Sequence, residues 1–127
     1  AMQLIKKNLQ PLPGCLDFLE EARKHFILSV VSSGSSESIT YGLGKFKILN
    51  LFKIIICRDH VNFTKPNPEG LLKAFSNFSG LKEDEVLVLE DSENGFAAAR
   101  NANFEFIDIK NIDWIMLLEM LARKNDQ

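Results

Sequence analysis

Glu90 and Asp91 stand side by side directly after the apolar run Val86-Leu87-Val88-Leu89. Two adjacent carboxylates at the end of a buried strand repel each other and lose hydration, so they need a cation or a set of donors. Hard oxygen ligands of this kind suit Mg²⁺, which takes one or two carboxylates and keeps several waters. Two other stretches could serve an anion. Ser32-Ser33-Gly34 follows the apolar run at 26–31, and a hydroxyl with backbone N–H groups at a strand-to-helix turn can hold a phosphate or another oxyanion. Lys65 precedes Pro66-Asn67-Pro68, a rigid turn that could aim its ammonium at a phosphoryl group. Taken singly, each has an ordinary explanation. Ser32–Gly34 reads as a helix N-cap, Lys65 as a solvated loop lysine, and the acids as a helix N-terminus favoured by the dipole.

The elements that must position these residues alternate along the chain. Leu16, Leu19, Ala22 and Phe26 recur at helical spacing, which predicts a helix from Cys15. The run at 26–31 then reads as a buried strand, followed by a helix around 37–43. A short strand is expected at 53–57. Asn67, Pro68 and Glu69 carry the signals of a helix start, and that helix should run to about Phe78, with Gly80 closing it. The strand at 86–89 passes through the Ser92–Gly95 turn into an alanine-rich helix ending near Ala102, where Asn103 suits a left-handed C-terminal position. A last strand at 105–109 and a helix at 113–122 complete the order. Residues 3–9 are short and mixed, and read as a helical turn or two ahead of a hinge at Pro11-Leu12-Pro13-Gly14. Strand–helix units repeated in this way predict a single three-layer α/β domain with a mostly parallel sheet of about four strands.

Composition narrows the partners. The chain has 127 residues and a net charge of −2, with 46% hydrophobic and 25% charged residues, which gives no reason to expect nucleic acid or an anionic membrane. No apolar run approaches the roughly 20 residues needed to span a bilayer. Cys15 and Cys57 lack metal-ligand or redox-motif spacing, so thiols in a reducing cytoplasm are expected. His25 and His60 are isolated, and read as surface or satisfied histidines rather than bases.

Together the motifs are more specific. A serine ending one strand, Lys65-Pro66-Asn67-Pro68-Glu69 before a helix, and Val88-Leu89-Glu90-Asp91-Ser92-Glu93-Asn94-Gly95-Phe96 resemble the haloacid dehalogenase-like superfamily. The nearest branch is the one holding β-phosphoglucomutase and phosphoglycolate phosphatase. The resemblance runs from Pro13-Gly14 to Ile109 and implies a Rossmann-like core and Mg²⁺-dependent phosphoryl transfer through an aspartyl-phosphate. By that resemblance Ser32 would hydrogen-bond the transferring phosphoryl group, helped by the N–H groups of Ser33 and Gly34. Lys65 would neutralise its charge and bridge to the acidic cluster. Asp91, with Glu90 beside it, would hold Mg²⁺. Ser92 and Asn94 would support the ligands, and Gly95 would let the turn close tightly.

One motif of that family is absent. Its Asp-x-Asp, which supplies the nucleophile and the general acid/base after the first strand, occurs nowhere in the sequence. Asp17, Asp59, Asp84, Asp108 and Asp113 have no matching context. The resemblance therefore implies that residues 1–127 are part of such a core domain, with 3–10 the remnant of a cap-to-core hinge and the central first strand missing. The chain on its own is then expected to be inactive. Without that strand, the strands ending at Ser32 and Glu90 would have to pair directly or expose apolar edges. Self-association or a rearranged sheet is the expected consequence. The leading functional expectation is a phosphatase acting on a small phosphorylated metabolite. A sugar-phosphate mutase is a close alternative, and a non-catalytic binding or interaction module of the same fold is the alternative from another class.

Overall fold

A computed structural model of the chain describes residues 3–6 and 14–125. Ten elements alternate: β1 (Gln3–Lys6), α1 (Cys15–Ala22), β2 (Ile27–Val31), α2 (Ser36–Lys45), β3 (Ile54–Ile56), α3 (Glu69–Phe75), β4 (Val86–Glu90), α4 (Glu93–Ala102), β5 (Glu105–Asp108) and α5 (Trp114–Asn125). The strands form one sheet in the order β3-β2-β1-β4-β5, and every ladder is parallel. The chain steps outward from β1 to β3, then returns to the other side of β1 for β4 and β5. The reversal falls between β1 and β4, and in open parallel sheets ligands bind at the carboxyl ends of strands beside such a switch point.

Burial explains the layers. On β4, Leu87 and Leu89 face a cluster built from α1, α2 and α5, with Phe18, Leu43, Trp114 and Leu117 among its members. Val86 and Val88 face the opposite cluster, with Leu71 and Ala74 of α3 and Ala98, Ala99 and Ala102 of α4. Both faces of β4 are therefore covered, which is why its sequence is an unbroken apolar run rather than an alternation. α3 lies unusually close to β2, since a Cβ on Gly70 would sit 2.8 Å from Cγ1 of Val31. α4 ends at Asn103 with φ of 65°, the left-handed conformation expected of an asparagine there. No helix among the described residues is long and apolar enough to cross a membrane.

Two expectations require correction. The sheet has five strands rather than about four, and its central position is not vacant. Residues 3–6, read as part of a hinge remnant, form β1. Leu4 pairs with Leu28 on one side and Leu87 on the other, and Lys6 pairs with Leu89. The physical reason is the backbone of β2 and β4. Two buried strand edges with unpaired N–H and C=O groups are costly, and a four-residue segment satisfies both at once. β2 and β4 neither pair directly nor leave open edges, so the ground given for self-association through those edges falls away. The hinge expected at Pro11–Pro13 lies outside the described residues.

Candidate active site

At the carboxyl end of the sheet the structure gathers side chains that a soluble core would ordinarily exclude. Four polar or charged residues are buried among the described residues, and three of them are Ser32, Lys65 and Glu90. The Lys65 and Glu90 side chains retain 4% and 1% of their exposure and form an ion pair at 3.1 Å. The Lys65 ammonium also donates to the Val31 carbonyl at 2.8 Å, which ties it to the end of β2. The other Glu90 oxygen, Oε1, accepts from the Asp91 N–H at 3.0 Å and the Ser92 hydroxyl at 3.2 Å. A buried ion pair is tolerable only when the remaining lone pairs are met in this way.

The ordinary explanations of these motifs do not describe them. α2 is capped by Ser35, whose hydroxyl accepts from the Ser38 N–H, so Ser32 is not the cap. α4 is capped by Ser92, which accepts from the Gly95 N–H at 3.1 Å, so Glu90 and Asp91 precede the helix. Lys65 is buried rather than solvated. Ser32, Ser33 and Lys65 line one narrow pocket together with Gly70 and Phe63. Within it the Ser32 hydroxyl accepts from the Gly34 N–H at 3.0 Å. That bond occupies the Gly34 donor and leaves the Ser33 N–H without a hydrogen bond to another described residue.

Glu90 and Asp91 differ in what they offer a metal ion. Both Glu90 oxygens are engaged by internal donors. Asp91 is only partly buried, and its carboxylate makes no hydrogen bond or ion pair with another described residue. The described residues contain no group of three metal-binding side chains. One free carboxylate still fits an ion that takes one or two carboxylates and keeps its waters. Gly95 is required by close approach, since a Cβ there would sit 2.0 Å from the Glu90 carboxyl carbon. Asn94, by contrast, is exposed, and its side chain makes no hydrogen bond to another described residue. The strand lying between Ser32 and Glu90 brings no acid, because residues 3–13 contain neither aspartate nor glutamate.

Asp113 and Asp108 have local tasks. Asp113 accepts from the N–H groups of Ile115 and Met116 and so caps α5, and Asp108 accepts from the Lys110 N–H. His60 is satisfied, with Nδ1 accepting from the Cys57 N–H at 2.9 Å. Burial, followed by the charge of Asp59, pushes the Cys57 thiol up and makes it a poor nucleophile.

Two supporting roles are not visible in the motifs. Glu69 accepts from the N–H groups of Asn62 and Phe63 and fixes the loop before Lys65. Asp59 accepts from the Ser36 N–H at 2.8 Å and from the Ser36 hydroxyl, and the neighbouring Arg58 N–H donates to the Gly34 carbonyl. The loop after β3 thereby holds the Ser32–Ser36 loop. The one available signal was position, since Asp59 follows a strand at the same end of the sheet.

The Ser36 hydroxyl, followed by its N–H, holds the Asp59 carboxyl below its ordinary range. A depressed folded value means the contribution is complete above the unfolded value, about 3.9 for aspartate. It is lost as pH falls through the lower folded value. The melting-temperature advantage of wild type over Asp59→Asn should therefore shrink as pH falls from about 5 to about 2. An advantage independent of pH over that range would contradict the tether.

A family profile described as haloacid dehalogenase-like hydrolase matches residues 1–109. The chain belongs to the haloacid dehalogenase-like hydrolase family. Among curated relatives, it is 30% identical over 97 residues to the pyrophosphatase PpaX of Halalkalibacterium halodurans, covering 76% of this chain and 45% of that protein. It is 37% identical over 65 residues to a phosphoglycolate phosphatase of Nitrosococcus oceani, covering 51% of this chain and 28% of that protein. The chain spans less than half the length of either relative. Its fold matches that of the Bacillus subtilis HAD-hydrolase YfnB, whose crystal structure was determined bound to magnesium. The TM-score is 0.71 at 21% identity, covering 78% of this chain and 44% of that one.

Proposed function

We propose that the protein to which this chain contributes is a Mg²⁺-dependent phosphatase of a small phosphorylated metabolite, acting in the cytoplasm through an aspartyl-phosphate. The observation that carries this is the convergence of Ser32 and Lys65 on one pocket, with Lys65 anchored by buried Glu90. A phosphoryl group needs donors and positive charge fixed before it arrives, and a paired, buried lysine loses little freedom on binding. Ser32 donates its hydroxyl to a phosphoryl oxygen, and the Ser33 N–H supplies a second donor. Asp91 is the residue of this chain that would hold Mg²⁺, while Glu90 acts on Lys65 instead. Bound Mg²⁺ would neutralise charge developing on the phosphoryl oxygens. The phosphatase names of the relatives and the magnesium in the YfnB structure support this reading.

The chain by itself is proposed to bind phosphate without turning it over, because no carboxylate stands at the end of β1 to act as nucleophile. That same absence is the observation favouring a non-catalytic module. Hydrolysis of p-nitrophenyl phosphate by the chain extended upstream separates the two. Turnover should require Mg²⁺ and should be abolished by Asp91→Asn. An Asp91→Asn protein with full activity would overturn the metal role, and no turnover by any upstream extension would favour the module.

A further inference from the structure

Phe63 is 64% exposed, yet it is not on a loosely held tip. The Glu69 carboxylate takes the N–H groups of Asn62 at 2.9 Å and of Phe63 at 3.0 Å, so the backbone presenting the ring is fixed from α3. The same ring lines the pocket of Ser32 and Lys65. It also lines a shallow, open groove with Thr64, Pro66, Asn67 and Asn101. It therefore borders both that pocket and a wider surface lined by three asparagines, two prolines and a threonine. A large apolar ring left 64% exposed beside a buried cation gains little for the fold, since most of its area stays hydrated. It is suited to cover the apolar face of something bound through its phosphate, with the amides available to polar substituents.

We infer that Phe63 is a specificity-determining residue. It selects an organic phosphate monoester whose carbon skeleton offers a ring or apolar face, over a small or purely inorganic phosphate. The inference rests on the phosphate-site reading above and adds the class of leaving group. Phe63 does not touch the phosphoryl group in this proposal and is not a catalytic residue. Its contribution is contact with the ester's carbon skeleton.

The test uses the chain itself and charge-matched probes. Methyl phosphate and phenyl phosphate are titrated by NMR into wild type, Phe63→Ala and Phe63→Leu, with inorganic phosphate titrated into wild type and Ser32→Ala. Wild type should bind phenyl phosphate about fivefold tighter than methyl phosphate, the size one aromatic contact supplies. Phe63→Ala should remove that preference and leave methyl phosphate binding within about twofold. Phe63→Leu should retain only part of it. Equal binding of the two esters by wild type, or a preference that survives Phe63→Ala, overturns the role of Phe63 while the phosphate site stands. Absence of saturable phosphate binding, or binding unchanged by Ser32→Ala, overturns the phosphate-site reading and this inference with it.

Discussion

Replacing Lys65 with methionine is expected to destabilise the fold by about 3–5 kcal/mol, read from the midpoint of urea unfolding. Methionine fills a similar volume, so packing changes little. What changes is the environment of Glu90, which is 1% exposed and loses the ammonium 3.1 Å from Oε2. Its other oxygen keeps the Asp91 N–H and the Ser92 hydroxyl, two neutral donors that cannot offset a buried negative charge. Removing one member of a buried pair is costly because the survivor is left uncompensated. Removing both with apolar or neutral groups of similar shape is often close to neutral. Lys65→Met/Glu90→Gln should therefore recover most of the loss, and the double-mutant cycle should report a coupling well above the ~0.5 kcal/mol typical of additive sites. A single variant within ~0.5 kcal/mol of wild type would mean that the pair is solvated in practice. The pair would then not be the anchor that the proposed phosphate site needs.

The same residues show where reading the sequence stops. β4 was legible because both of its faces are buried, so four apolar residues run together before the acids, and a strand covered on both sides has no other pattern. β1 was not legible. Gln3-Leu4-Ile5-Lys6 has no marked strand pattern, and it becomes a strand because β2 and β4 each present an unpaired edge to it. That is a tertiary fact with no local signature. The Ser32, Lys65 and Glu90 motifs could be picked out one by one, but their partners could not be assigned. Two adjacent carboxylates look equivalent in sequence. The fold separates them, turning Glu90 inward to Lys65 and leaving Asp91 partly exposed. Asn94, grouped in sequence with Ser92 and Gly95, faces solvent because the first turn of α4 rotates it away from Glu90. Asp59 and Glu69 hold their loops through bonds to residues 23 and 6–7 positions distant, which no motif of adjacent residues encodes.

Gly95→Ala provides the sharpest separation between a helix effect and a site effect, because the two have opposite signs. Gly95 lies in α4, where alanine ordinarily stabilises by about 1 kcal/mol over glycine. Here its Cβ would fall 2.0 Å from both Cγ and Cδ of Glu90 and 2.2 Å from Oε2. The carboxylate that pairs with Lys65 must move, and no other buried cation stands within the network that now holds it. Setting the loss of the pair, about 3–5 kcal/mol, against the propensity gain leaves an expected net destabilisation of about 2–4 kcal/mol. The control is the same substitution in a Lys65→Met/Glu90→Ala background. The three atoms nearest the new Cβ are gone there, which leaves the helix term dominant, and alanine should stabilise by about 1 kcal/mol. A reversal of sign between the two backgrounds assigns the glycine to the carboxylate. Destabilisation of equal size in both would place its role in the backbone of the turn, and the close packing of Glu90 on α4 would then not be what position 95 protects.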